Sequence, residues 1–158
     1  MSTTKQPINA AILTTDPGDA VLQQIMKVLK DAGFAKVTVL DRLPDAQTAQ
    51  EGGRTVKHLP DELKDANLVI FDEQVGGRSG FELHRALQGA VETPRVGFGI
   101  VLSRPTQETV FASIRAGFDM CWTKEIFDRG EFLHIAKEIV YYARRKEWPV
   151  PKQPPQYT

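Results

Sequence analysis

Leu68-Val69-Ile70-Phe71-Asp72-Glu73-Gln74-Val75-Gly76-Gly77-Arg78-Ser79-Gly80 is the stretch on which the fold turns. Four apolar residues in a row end on a carboxylate, and a glycine-rich loop, read as flexible, leads into a helix that starts at Phe81. An apolar run without polar alternation is the pattern of a strand buried on both faces. Outward from it the same unit repeats. Residues 10–15 form a short apolar run before the turn signal Asp16-Pro17-Gly18, and read as a first strand. Over 19–32, Val21, Ile25, Val28, Leu29 and Ala32 share one helical face, with Gly33 as the stop. Lys36–Leu40 is alternating and β-branched, a second strand. A fourth strand is expected over 95–102, unusual for Gly97 and Gly99 inside it. Then come a helix at Gln107–Ala116 closed by Gly117, a fifth strand at Met120–Thr123, and an amphipathic helix over 128–145.

Strands alternating with helices imply one doubly wound α/β domain around a parallel sheet. Right-handed crossovers bring the strand ends to one edge, where ligand sites form. Asp72, Ser103 and Lys124 each close an apolar segment, so all three are expected at that edge. Residues 41–66 are polar and punctuated by Gly52-Gly53 and Pro60. They read as an enlarged loop-rich excursion holding one helix near 45–51. Residues 1–9 are expected to be a flexible N-terminus and 10–146 the domain. Residues 147–158, with four of the ten prolines, are expected to be an extended or disordered tail.

Composition narrows the function classes. The 158 residues suit one domain, and 41% hydrophobic content suffices for a core. Twenty basic residues balance twenty acidic ones, which argues against nucleic acid as the main partner. The single cysteine, Cys121, excludes an internal disulfide and a cysteine-rich zinc site. No signal-peptide pattern opens the chain, and no apolar run nears the roughly 18 residues of a membrane span. A soluble, cytoplasmic protein is expected. His58, His84 and His134 sit on separate elements without metal-ligand spacing. Gly76-Gly77-Arg78-Ser79-Gly80 lacks the Gly-Lys-Ser/Thr ending of a phosphate loop.

At this point the chain resembles the receiver domain of two-component response regulators, from about residue 10 to 143. Residues 68–83 are similar to the family's phosphoacceptor strand and loop, with the Asp72-to-Gly80 interval kept. Ala116-Gly117-Phe118-Asp119 and Thr123-Lys124 resemble two further family segments, and Ser103 falls where the family carries Ser or Thr. The resemblance implies a CheY-like (flavodoxin-like) sheet of order 2-1-3-4-5. It implies Asp72 as phosphoacceptor and Ser103 and Lys124 as phosphoryl-binding groups. It implies Mg²⁺ at Asp16, Asp72 and the Gln74 backbone carbonyl. Ser103 and Cys121 take the switch positions, and Arg104 becomes a modifier of the phosphate site. The chemistry is coherent: an aspartate attacks a phosphoryl group, while a divalent cation and an ammonium neutralise the meeting anions. Implied partners are a histidine kinase or another signalling protein, or a second copy of the chain. They would dock on the helix 4–strand 5–helix 5 face, formed by the helices from Gln107 and Asp128 and the strand from Met120. No enzyme, nucleic-acid or membrane role is implied.

The chain departs from that pattern. Two adjacent acids normally end strand 1, where this chain reads Thr14-Thr15-Asp16-Pro17. One placement puts Thr14 and Thr15 at the pair; a gapless one puts Asp16 and Pro17 there. Either way a carboxylate is missing, so Mg²⁺ binding is expected to be weak. Asp16 serves equally well as a ligand or as a helix cap. Glu125 follows Lys124 in place of proline; a cis bond there would cost roughly 3 kcal/mol, so a trans bond and a re-aimed lysine are expected. Arg104 stands where a very small residue is usual, and Gly76 where proline is. A pseudo-receiver binding partners without phosphorylation is therefore the first reading. A receiver phosphorylated on Asp72 is the alternative, and a flavodoxin-like cofactor binder the third class, disfavoured by the acidic loop after strand 1.

Overall fold

The computed structural model describes residues 6–150. The assigned flexible N-terminus and proline-rich tail therefore lie mostly outside the described residues. A five-stranded parallel sheet runs through the molecule. Its strands are β1 (Asn9–Leu13), β2 (Lys36–Leu40), β5 (Leu68–Asp72), β8 (Gly97–Leu102) and β9 (Met120–Thr123). Their spatial order is β2-β1-β5-β8-β9, which is the expected 2-1-3-4-5. The helices are α1 (Ala20–Ala32), α2 (Gly80–Leu87), α3 (Gln107–Ala116) and α4 (Arg129–Arg144).

Successive side chains of a strand point to opposite faces, and the core splits accordingly. Ala10, Ile12, Leu68, Ile70 and Val101 face α1 and α4, meeting Leu22, Ile25, Leu29, Phe132, Ala136 and Ile139. Ala11, Leu13, Val69, Phe71, Ile100 and Leu102 face the other way, onto Leu83 and Leu87 of α2 and onto Leu59 and Leu63. Asp19 caps α1 by accepting from the Val21 and Leu22 N–H groups, and Gly33 ends the helix at φ 115°.

Three sequence expectations need correction. First, residues 45–51 are not helical. β3 (Gln47–Glu51) and β4 (Arg54–His58) form an antiparallel hairpin instead. Gly52 and Gly53 take φ of 58° and 77°, the two positive values of a tight hairpin turn. The β2-to-β5 crossover thus carries a ribbon and a short 3₁₀ turn at Asp61–Leu63 in place of a helix. Second, the glycine-rich loop after Asp72 is a second small hairpin, β6 (Gln74–Val75) with β7 (Arg78–Ser79), turning on Gly76-Gly77. Third, both presumed flexible ends contribute structure. Ile8 is buried and β1 starts at Asn9. At the other end, Trp148 packs against the core cluster and donates its indole N–H to the Asn67 carbonyl at 3.0 Å.

Trp148 also accounts for one of the two odd glycines. A Cβ on Gly97 would overlap the Trp148 ring. A Cβ on Gly99 would lie 2.6 Å from Cζ3 of Trp122, which stacks edge-on against Phe132. The two glycines of β8 make room for two indoles.

Candidate functional site

The carboxyl ends of β1, β5, β8 and β9 converge on Asp72. Parallel pairing sets Leu13 beside Phe71 and Asp72 beside Val101, so the residues following β1 and β9 reach the same point. Gly80 has a steric reason to stand eight residues after Asp72: a Cβ there would lie 2.5 Å from the Asp72 carbonyl oxygen and 3.1 Å from Phe71 Cβ. Only a residue without a side chain lets α2 start this close to β5.

Asp72 is 5% exposed and Thr14, directly after β1, is fully buried. The Thr14 hydroxyl donates to Asp72 Oδ2 at 2.8 Å and accepts the Asp16 N–H at 2.9 Å. Asp72 Oδ1 lies 3.1 Å from Lys124 Nζ and accepts the Glu73 N–H at 2.9 Å. Lys124 Nζ also reaches Asp19 Oδ2 at 3.3 Å. Burial alone would lower the Lys124 pKa; the Asp72 and then the Asp19 carboxylates outweigh it and hold it above the ordinary value. Burial alone would raise Asp19, but the Leu22 N–H, Lys124 and the Val21 N–H together hold it below. The peptide bond after Lys124 is trans, and the lysine still meets Asp72.

The sequence-derived candidates therefore divide. Asp72 and Lys124 are together. Ser103 is exposed, and its backbone N–H, not its hydroxyl, enters the network by donating to Glu73 Oε2 at 3.1 Å. Asp16 is exposed, and it meets the centre through its backbone: its N–H donates to the Thr14 hydroxyl and its carbonyl accepts the Asp19 N–H. Gln74 is paired with Ser79 in the small hairpin. Arg104 is exposed and pairs with no carboxylate among the described residues. Cys121 is partly buried on β9, where burial pushes its thiol up against a smaller opposing effect of Ser113. The residues that sequence reasoning missed are Thr14 as a hydrogen-bond partner, Asp19 and Glu73. Asp19 was visible only as the start of a helix, and Glu73 only as the neighbour of Asp72.

The donors already on Asp72 compete with a Mg²⁺ ion for its oxygens. Such an ion requires near-octahedral oxygen ligands with free lone pairs. Here the Thr14 hydroxyl donates to Asp72 Oδ2, and Oδ1 is engaged by an ammonium and an amide. Among the described residues no three acidic, histidine or cysteine side chains gather to hold a metal.

Comparison with solved structures gives the fold its class. A CheY-like response regulator receiver domain protein from Methanospirillum hungatei matches with a TM-score of 0.55 and 21% identity, over 90% of this chain and 99% of that one. The BeF3-activated receiver domain of DrrB, a Thermotoga maritima protein, matches with a TM-score of 0.59 and 21% identity, over 86% and 99%. The chemotaxis response regulator CheY4 of Vibrio cholerae matches with a TM-score of 0.58 and 15% identity, over 85% and 99%. No protein-family model matches the chain, and no curated protein does. The chain has the fold of a CheY-like receiver domain.

Proposed function

We propose that this chain is a receiver-like signalling module that works through protein contacts, with Asp72 held by the chain's own side chains rather than phosphorylated. The observation that carries the reading is the Thr14 hydroxyl on Asp72 Oδ2, in place of a metal-binding carboxylate. Three protein donors already engage Asp72, and a metal-free phosphoryl transfer to it would leave the incoming charge facing one ammonium shared with Asp19. The output face is α3–β9–α4, at the free edge of the sheet. Phe111 and Ile114 on α3 are 49% and 54% exposed, and Tyr142 on α4 is exposed as well. Apolar side chains of this size in solvent are the composition of a protein-binding patch. The partner is a histidine kinase or another signalling protein, and the chain catalyses no reaction of its own.

The test is intact mass after incubation with Mg²⁺ and a small acyl-phosphate donor, for wild type and Asp72→Asn side by side. No adduct on either folded protein is the expected result. A phosphoryl adduct on wild type alone would replace this reading with that of a working receiver.

A further inference from the structure

The receiver resemblance assigns no role to Glu73, yet its side chain touches the site. Its backbone is pinned on both sides: the N–H donates to Asp72 Oδ1, and the carbonyl accepts the Gly80 N–H at 2.9 Å. From that fixed point the side chain reaches across to the exit of β8 and accepts the Ser103 N–H. A backbone N–H at a strand exit is a donor suited to an anionic oxygen. In this chain the anion is internal. Asp19 does the same at the ammonium. Two donors that face the Asp72 end of the sheet, the Ser103 N–H and Lys124 Nζ, thus each hold a carboxylate from a neighbouring element.

The Ser103 turn is short and stiff. Only Arg104 and Pro105 separate Ser103 from Thr106, the N-cap of α3. Proline fixes its own φ, and Thr106 and Thr109 close a reciprocal capping box. A shift of Ser103 therefore passes to α3 with little slack.

We propose that Glu73 is a built-in surrogate for a phosphoryl oxygen. Its carboxylate fixes the Ser103 turn and so holds α3, with Phe111 and Ile114, in one presentation without phosphorylation. This deepens the reading above and rests on it in taking α3 as part of the output face. Glu73 acts as a positioning residue: it sets the surface and does not itself bind the partner.

The experiment is amide hydrogen exchange by NMR on the full chain, without phosphate donor, for wild type, Glu73→Gln and Glu73→Ala. Loss of one hydrogen bond of ordinary strength is expected to speed Ser103 exchange about fivefold in Glu73→Ala. The amide resonances of Val110, Phe111 and Ile114 should shift with it. Glu73→Gln keeps an acceptor oxygen and should show the same changes at reduced size. Unchanged Ser103 exchange and unchanged α3 resonances in Glu73→Ala, at matched melting temperature, would overturn the proposal. If Glu73→Ala does not fold, Glu73→Gln decides on the same two readouts. A phosphoryl adduct on wild type would count against the proposed function alone and leave the Ser103 result standing.

Discussion

The Thr14 hydroxyl and the Lys124 ammonium divide the Asp72 carboxylate between them. A nearly buried carboxylate is stable only if its lone pairs are met, and here an O–H, an N–H and an ammonium meet them. The pH behaviour of the pair with Asp19 follows. Asp19 titrates below its ordinary 3.8, so its contribution is present above that pH and is lost as pH falls through the lowered value. Lys124 titrates above 10.5, so its contribution is present below that pH and is lost as pH rises through the raised value. The site therefore stays intact across the neutral range. Thr14→Asp would reverse the logic. Two carboxylates about 4 Å apart repel by about 4 kcal/mol at an effective dielectric of about 20. With partial relief by Lys124, the melting temperature in EDTA should drop by about 5–10 °C. Millimolar Mg²⁺ at matched ionic strength should recover most of that loss, since it binds only the folded form. Wild type should gain nothing from Mg²⁺; an equal gain in wild type would mean that Thr14 does not exclude the cation. Asp72 and Lys124 were legible in the sequence because each closes an apolar segment. Asp19 and Glu73 were not, because their partners lie 105 and 30 residues away and no local pattern announces such contacts.

At the scale of elements, the β3–β4 ribbon is the part that periodicity could not reveal. Strands of the main sheet are legible because burial imposes an apolar pattern, as in Leu68–Asp72, where every residue is buried. Gln47–Glu51 buries nothing, so its sequence carries no such pattern, and the Gly52-Gly53 turn was the one local signal. Polar contacts tie this exposed ribbon to the body. Lys57 Nζ donates to the Ala86 and Gln88 carbonyls at the end of α2. His58 sits between two carboxylates, with Nδ1 2.6 Å from Glu92 Oε2 and Nε2 3.1 Å from Glu51 Oε2. The Glu92 carboxylate also accepts the Leu59 N–H. The hydrogen bond to Glu92 and then that to Glu51 raise the His58 pKa above 6.5. Burial alone would raise Glu92, but His58 and the Leu59 N–H hold it below 4.5. The sign follows directly. The His58 tie is complete below about pH 6.5 and weakens as pH rises through the raised value. The Glu92 contribution is complete above about pH 4.5 and fails as pH falls through its lowered value. Amide exchange in 54–58, corrected for the intrinsic pH dependence, should therefore quicken between pH 6 and pH 9. His58→Gln should remove that pH dependence. A wild-type profile as flat as that of the variant would show that the imidazolium does not hold the ribbon.

For the whole molecule, the two ends of the sheet are closed in different ways. At the carboxyl ends of the strands, Thr14 after β1, Asp19 at the start of α1 and Lys124 after β9 lock one another around Asp72. At the opposite end, an aromatic side chain does the closing. Trp148 lies four residues past the end of α4, yet its ring rests on Gly97 at the start of β8, and its N–H meets Asn67 just before β5. That contact joins the segment after the last helix to the two central strands, so it belongs to the stability of the whole fold. Trp148→Ala removes a partly buried indole and should cost about 2–4 kcal/mol. Gly97→Ala puts a methyl group into the space of the ring and should cost about 1–3 kcal/mol. The two losses come from the same space, so they should not add. With the indole gone, the methyl group has room, and the double variant should lie within about 0.5 kcal/mol of Trp148→Ala alone. Urea unfolding of the four proteins measures the cycle. A coupling of about 1 kcal/mol or more places the indole on Gly97 in solution. Strict additivity would detach residue 148 from the sheet and leave Gly97 without a steric reason to be glycine.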